Sequence, residues 1–303
     1  MDYILFAVIA YFLLAFVNLG DKLIVDRVLK NSRVYVFFVC FLGLLTFLLA
    51  PWFLSWPGLT LFLFNIFIGF LFAAAIWLFF EALKESEVLR VSVFVGSIIP
   101  IFSVIISIFF LKEEFAFRQL FGFLFLIFGM FLISTIVEPQ KNNSSKKWII
   151  LGILSALFYS LFFVTSKIAY SEQPFFSAFI WTRLGAFVFV LFFLLNKEFR
   201  IDIFSKNSNS GVVGKNKKKG FFIVFNQGVG SVAFIIQNYA ISLGSVAVVN
   251  ALQGIQYVFL FIISFVASLF VPGLIRDDFS FISVFKKILS IILVFVGLYL
   301  LAF

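Results

Sequence analysis

One arginine stands inside an otherwise apolar stretch, FFSAFIWTRLGAFVFVLFFLL, residues 175–195. In a helix rising 1.5 Å per residue, Arg183 lies roughly 12 Å from the start of that stretch. A guanidinium at mid-span costs about 2.5–3.5 kcal/mol on insertion scales, and snorkelling from such depth recovers only part of it. Two roles account for keeping it. Arg183 faces a central cavity and attracts a carboxylate or other anionic group. Alternatively, it binds carbonyls or an acid of another helix, Glu81 being one candidate, and fixes packing.

Amides supply a second chemistry. Asn250, Gln253, Gly254 and Tyr257 recur at i, i+3, i+4 and i+7, one face of a helix, with Gln256 beside Gln253. Asn226 and Gln237 share a face of the preceding apolar segment, with Gln227 and Asn238 adjacent. Such amides tie helices together, typically for less than about 2 kcal/mol, or they line a wet cavity. Two faces with at least two amides each favour the cavity. The stripe Ser92, Gly96, Ser103, Ser107 is small enough to favour close helix contact instead. Trp77 and Tyr159 have polar tips that need partners, so each either lines the substrate site or fills the core. The expected substrate-binding set is therefore Arg183, Asn250, Gln253, Gln256, Tyr257, Gln237, Asn238, Trp77 and Tyr159.

The elements that position these residues follow from composition. The 303 residues are 63% hydrophobic and 12% charged, against roughly 45–50% and about 25% in soluble domains. This is an integral membrane protein. Runs such as WLFF and FVFVLFFLL do not alternate as barrel strands do, so the fold class is an all-α polytopic bundle. Apolar runs of about 20 residues predict ten spans, at 3–28, 33–53, 58–83, 88–110, 118–137, 147–169, 175–196, 220–242, 246–270 and 283–303. The start, MDYILFAVIAYF, lacks the basic region of a cleaved signal peptide and reads as the first span. Five of the six prolines fall at or between spans. Pro100 alone falls inside one, where it frees a carbonyl and kinks the helix.

Basic residues give the orientation. Of 23 Lys/Arg, 19 fall on one side and only Lys112, Arg118 and Lys167 on the other, with Arg183 in a span. The rich side is cytoplasmic, which places both termini on the non-cytoplasmic side of the cell membrane. The loop at 197–219, ending KNKKKG, fixes topology and touches anionic head groups; no nucleic-acid partner is expected. Lys22 and Lys167 then sit near opposite membrane faces as gate or entrance charges, and Glu113 and Glu114 form a solvated turn. With no histidine, one cysteine (Cys40) and scattered acids, neither a metal, a cofactor nor an enzymatic centre is expected.

The chain also repeats. Lys22 aligns with Lys167, Gly43 with Gly185, Ala82 with Ala240, Gly96 with Gly254, and Gly129 with Gly297. Their offsets of 145, 142, 158 and 168 grow where loops lengthen. Five helices per half is an odd number, so the second half, residues 141–303, enters the membrane inverted relative to the first, 1–140. Inverted repeats mark secondary transporters, with the site near the midplane at their interface.

Three motifs carry a resemblance to a known family: FFVTSKIAY in the sixth span, WTRLGAF in the seventh, and FFEALKES through IISIFFLKEEFAFRQLFGFLFLIFG around the fourth. With them the chain resembles, over nearly its whole length, the ten-helix EamA type of the drug/metabolite transporter superfamily. It departs from the pattern at Phe41, which occupies the position matching Arg183, and at VPGLIRDDF, which replaces the acidic turn in the second half. The resemblance implies a secondary transporter, often an exporter, of small polar metabolites such as amino acids or related carboxylates. The rival classes are a carrier or scrambler of lipids and hydrophobic compounds, and a membrane-embedded lipid-modifying enzyme. A small-molecule substrate and the bilayer are the expected partners.

Overall fold

Helices that are apolar on every side cannot face water, and among the described residues six stretches form helices long and apolar enough to cross a membrane. They are residues 2–20, 33–53, 59–85, 90–111, 147–172 and 175–195. Shorter apolar helices occupy Phe117–Leu132, Val246–Leu260 and Ile288–Leu301. The computed structural model describes residues 2–24, 32–86, 88–134, 146–197, 199–200, 217–270 and 281–302. Every regular element among the described residues is helical. In chain order they are α1 (Asp2–Ile24), α2 (Ser32–Gly43), α3 (Ala50–Phe53), α4 (Leu59–Glu85), α5 (Val88–Ile106), α6 (Phe117–Ser134), α7 (Lys147–Glu172), α8 (Phe175–Leu191), α9 (Lys217–Leu243), α10 (Val246–Ala251), α11 (Gln253–Phe270) and α12 (Phe281–Ala302). Large apolar side chains such as Leu48, Phe109, Phe128 and Leu195 point outward, as a lipid-facing surface requires.

Three expected spans are interrupted, and the seventh ends in a 3₁₀ turn, Phe192–Leu195. In the second, a 3₁₀ stretch at Leu44–Leu49 separates α2 from α3. The Thr46 hydroxyl donates to the Gly43 carbonyl at 2.8 Å, and Pro51 has no N–H for the turn before it. The fourth span ends in a π-helical turn, Ser107–Leu111, stopped by Lys112 in the left-handed region at φ 52°. The ninth breaks at Leu252, between α10 and α11. The basic loop is shorter than expected, since Lys217, Lys218 and Lys219 already belong to α9. Residues 25–28, 135–137 and 201–216 of the expected spans and loop, and VPGLIRDDF, lie outside the described residues.

Packing crosses the middle of the chain. α4 lies along both α7 and α8, α1 lies along α9 and α11, α5 lies against α7, and α6 pairs with α12. The α4–α8 contact is backbone on backbone. A Cβ added to Gly185 would lie 2.7 Å from Ile66 Cα, and one added to Gly69 would collide with the Thr182 carbonyl oxygen and the Ala186 nitrogen. Only paired glycines permit that approach. It holds the residues on either side of Arg183 fixed against α4.

Candidate functional site

Pro174, at φ −55°, starts α8, and Arg183 follows just over two turns along it. The residue is 6% exposed. Its guanidinium carbon stands 4.2 Å from the ring centre of Phe72, 4.6 Å from Phe179, 5.1 Å from Phe234 and 5.7 Å from Phe162. These rings come from α4, α8, α9 and α7, so four helices converge on one cation. Ring faces attract it, for about 2 kcal/mol when the pair is desolvated, but they accept no strong hydrogen bond. Arg183 Nε and Nη2 are buried without a hydrogen-bond partner. Tyr170, Cys40 and Tyr159 lie within electrostatic reach.

The acid suggested as a packing partner is engaged elsewhere. Glu81 Oε1 accepts from Lys84 Nζ at 3.1 Å and from Trp77 Nε1 at 3.3 Å. Trp77 thereby points to Glu81 and packs on Phe193. Tyr159 belongs to the arginine's surroundings, edge-on to Phe72 and stacked on Phe163. Phe41, the first-half counterpart of Arg183, is exposed and stacks on Phe37, so the two halves differ at this position.

The amides split into two groups. Asn238 joins the arginine's neighbourhood: its Oδ1 accepts from Tyr170 Oη at 3.1 Å, and its Nδ2 donates to the carbonyl of Phe234 at 2.9 Å. Gln237 points to α1, where its Nε2 donates to Tyr11 Oη at 3.2 Å. Tyr11 in turn donates to the Val249 carbonyl at 2.9 Å, a group freed by the helix break at Leu252. The second group lies between α5 and the broken helix. Asn250 Nδ2 donates to Ser103 Oγ at 2.8 Å, and Tyr257 Oη donates to the Ser92 carbonyl at 3.0 Å. Gln253 and Tyr257 fill the space over Gly96. The serine stripe is thus the surface on which this group docks. Asn250 Oδ1, Gln256 Oε1 and Ser107 Oγ are buried without partners.

Pro100 sits inside α5, and Ser160 Oγ of α7 lies 2.9 Å from the neighbouring Ile99 carbonyl. Lys167 Nζ donates to the Ser242 carbonyl at 3.0 Å and lines an open recess of about 350 Å³. Glu113, expected in solvent, instead accepts from Ser245 Oγ at 2.6 Å. The Lys22 backbone lies in the last turn of α1, and its side chain lies outside the described residues.

Sequence reasoning passed over Tyr11, Tyr170, the four phenylalanines and a pair formed by Gln173 Nε2 and Asn65 Oδ1 at 3.1 Å. Asn65 could have been found as an amide within an apolar run. The phenylalanines carried no such signal among 51 of their kind.

Of the comparisons with known proteins, one gives the family and another the fold. No curated protein matches. Among solved structures, a crystal structure described only as that of a protein superposes with a TM-score of 0.66, covering 98% of this chain and 94% of that one at 15% identity. That likeness is one of fold. The model of the EamA-like transporter family matches twice, over residues 1–135 and again over 146–275. This doubled match spans most of the helices just described, and with it the chain belongs to the EamA-like transporter family, as a multi-pass membrane protein built of two repeats.

Proposed function

We propose that the protein is a secondary transporter, working as an exporter, of small polar metabolites such as amino acids or related carboxylates. Arg183 is the group that receives the carboxylate. One observation carries this reading: Nε and Nη2 of Arg183 are buried and unpartnered. They form one edge of the guanidinium fork, and a carboxylate meets such an edge with two parallel charge-assisted bonds. Ring faces hold the cation from its sides and leave that edge for a ligand. Tyr159, Tyr170 and Asn238 surround it, while Gln237, Asn250, Gln253, Gln256 and Tyr257 bind further polar groups as the helices part. Lys22 and Lys167 mark the two entrances.

The working unit in this reading is ten membrane helices in two inverted halves, 1–140 and 141–303, exposing the site alternately to either side. Reciprocal packing supports the inversion. The third helix of each half lies along the first helix of the other, α4 on α7 and α9 on α1. A hydroxyl from each first helix reaches a carbonyl next to an irregularity in the other half: Ser160 to Ile99, Tyr11 to Val249. The basic bias places both termini on the non-cytoplasmic side of the cell membrane. A neutral lipid or hydrophobic cargo is the rival reading, and a guanidinium edge with nothing to bind it weighs against that.

The test is thermal unfolding of the purified protein in detergent against amino acids, organic acids, sugars and nucleosides, with Arg183→Gln alongside. A carboxylate that stabilises the wild type and not the variant supports the assignment. Equal stabilisation of both returns Arg183 to a structural role.

A further inference from the structure

The recess beside Lys167 is built from both halves and carries charges of both signs. Tyr3 of α1, Glu113 and Glu114 of the turn before α6, Gln119 of α6, Lys167 of α7 and Ser245 before α10 line it. Its volume, about 350 Å³, lies within the range of small-ligand pockets, roughly 300–1,000 Å³. Lys167 feels the charge of Glu113, yet among the described residues the two form no ion pair with each other. Each is held back by a neutral partner. The Lys167 ammonium is tied by one bond to the Ser242 carbonyl, and one oxygen of Glu113 is tied to Ser245. An ammonium has three donors and a carboxylate two accepting oxygens, so both retain capacity. A cation and an anion kept apart across one recess match a ligand that carries the opposite charges side by side.

We infer that this recess is an entry subsite for zwitterions, molecules with an ammonium and a carboxylate on neighbouring carbons. The ligand's carboxylate meets Lys167, and its ammonium meets Glu113, with Glu114 at the rim. The inference rests on the transporter reading and adds to it a second ligand site, at the entrance that Lys167 marks. A bare organic acid finds Lys167 but is repelled by two glutamates, and a bare amine finds the reverse. Because Ser245 caps α10 through its bond from the Val248 N–H, a ligand ammonium that draws Glu113 away also loosens the start of the helix carrying Asn250.

The probe is glycine, with acetate and methylamine as its separated halves. Leu243 lines the recess and is exposed, so Leu243→Cys in the purified full chain reports on it by its rate of alkylation with a charged maleimide. The wild type, whose one cysteine, Cys40, is buried, sets the background. Glycine at ten times its dissociation constant should slow alkylation about tenfold by mass action. Acetate and methylamine at the same concentration should leave the rate unchanged. Adding Glu113→Gln or Lys167→Met to Leu243→Cys should abolish the glycine effect, while adding Arg183→Gln should not. Loss of protection with Arg183→Gln would show glycine acting from the arginine site and overturn the inference. So would equal protection by acetate, or no protection by glycine at any concentration up to its solubility. These outcomes are separate from the fate of the Arg183 proposal, which the carboxylate panel decides on its own.

Discussion

Replacing Arg183 with methionine should leave the protein as stable as before and unable to bind its substrate. The argument comes from what the guanidinium touches. Four phenylalanine rings within 5.7 Å of its central carbon attract it, each for up to about 2 kcal/mol in a desolvated setting. Against this stand two buried donors with no acceptor, each costing about 1–3 kcal/mol and more when charged. Taking the cation itself out of water adds several kcal/mol to that cost, so the second sum is at least as large as the first. Methionine has similar length, and its sulfur keeps a favourable contact with rings, about 0.3–1.5 kcal/mol. The thermal midpoint of Arg183→Met in detergent should therefore equal or exceed that of the wild type. Binding is different, because removing one partner of a buried charge pair costs about 2–5 kcal/mol, or roughly 30-fold to several thousand-fold in affinity. Uptake into proteoliposomes of a carboxylate found to stabilise the wild type should fall to background. A midpoint well below wild type would show that the arginine holds the helices together, and undiminished uptake would remove it from the site. Either result refutes the reasoning.

Other expectations test the frame around the site. Gly185→Ala places a methyl against Ile66 on α4 and should cost about 1–3 kcal/mol by overpacking. It should be read as a lowered midpoint beside the control Gly230→Ala, whose methyl meets only Val17, at 3.4 Å from Cγ1 and 3.6 Å from Cγ2. Tyr11→Phe strips the Val249 carbonyl of its donor and Gln237 of its acceptor, and should lower stability by about 1–3 kcal/mol. A cysteine placed within residues 201–216 should resist an impermeant thiol reagent in intact cells, and rapid labelling would reverse the assigned orientation.

Much of the frame could be read from residue order because the bilayer admits so few solutions. Long apolar runs must be helices, and among the described residues Pro57 and Pro174 fall between them. What escaped is local. Nothing in the run 33–53 shows that Thr46 would take the Gly43 carbonyl and tighten the helix, and nothing in 246–270 shows a break that Tyr11, some 240 residues earlier in the chain, caps at Val249. Arg183 could be singled out because a charge in an apolar segment demands an explanation. Its surroundings could not, because a ring that holds a cation and a ring that faces lipid are the same residue. Spacing put Asn250, Gln253 and Tyr257 on one face, but which helix that face meets depends on contacts between the two halves.

The glycine-to-glycine contact between α4 and α8 also bears on how the protein is made. α4 is synthesised early, yet the surface that Gly69 needs, at Thr182 and Ala186, emerges more than a hundred residues later. Until then α4 waits in the bilayer with its narrow face, and with Asn65 buried beside it in the finished protein, unmatched. The first repeat is thus an intermediate of biogenesis, open along one flank until α7 and α8 insert. Lipid covers that flank during translation, and a chain truncated between the repeats would keep it facing lipid with Asn65 unmatched.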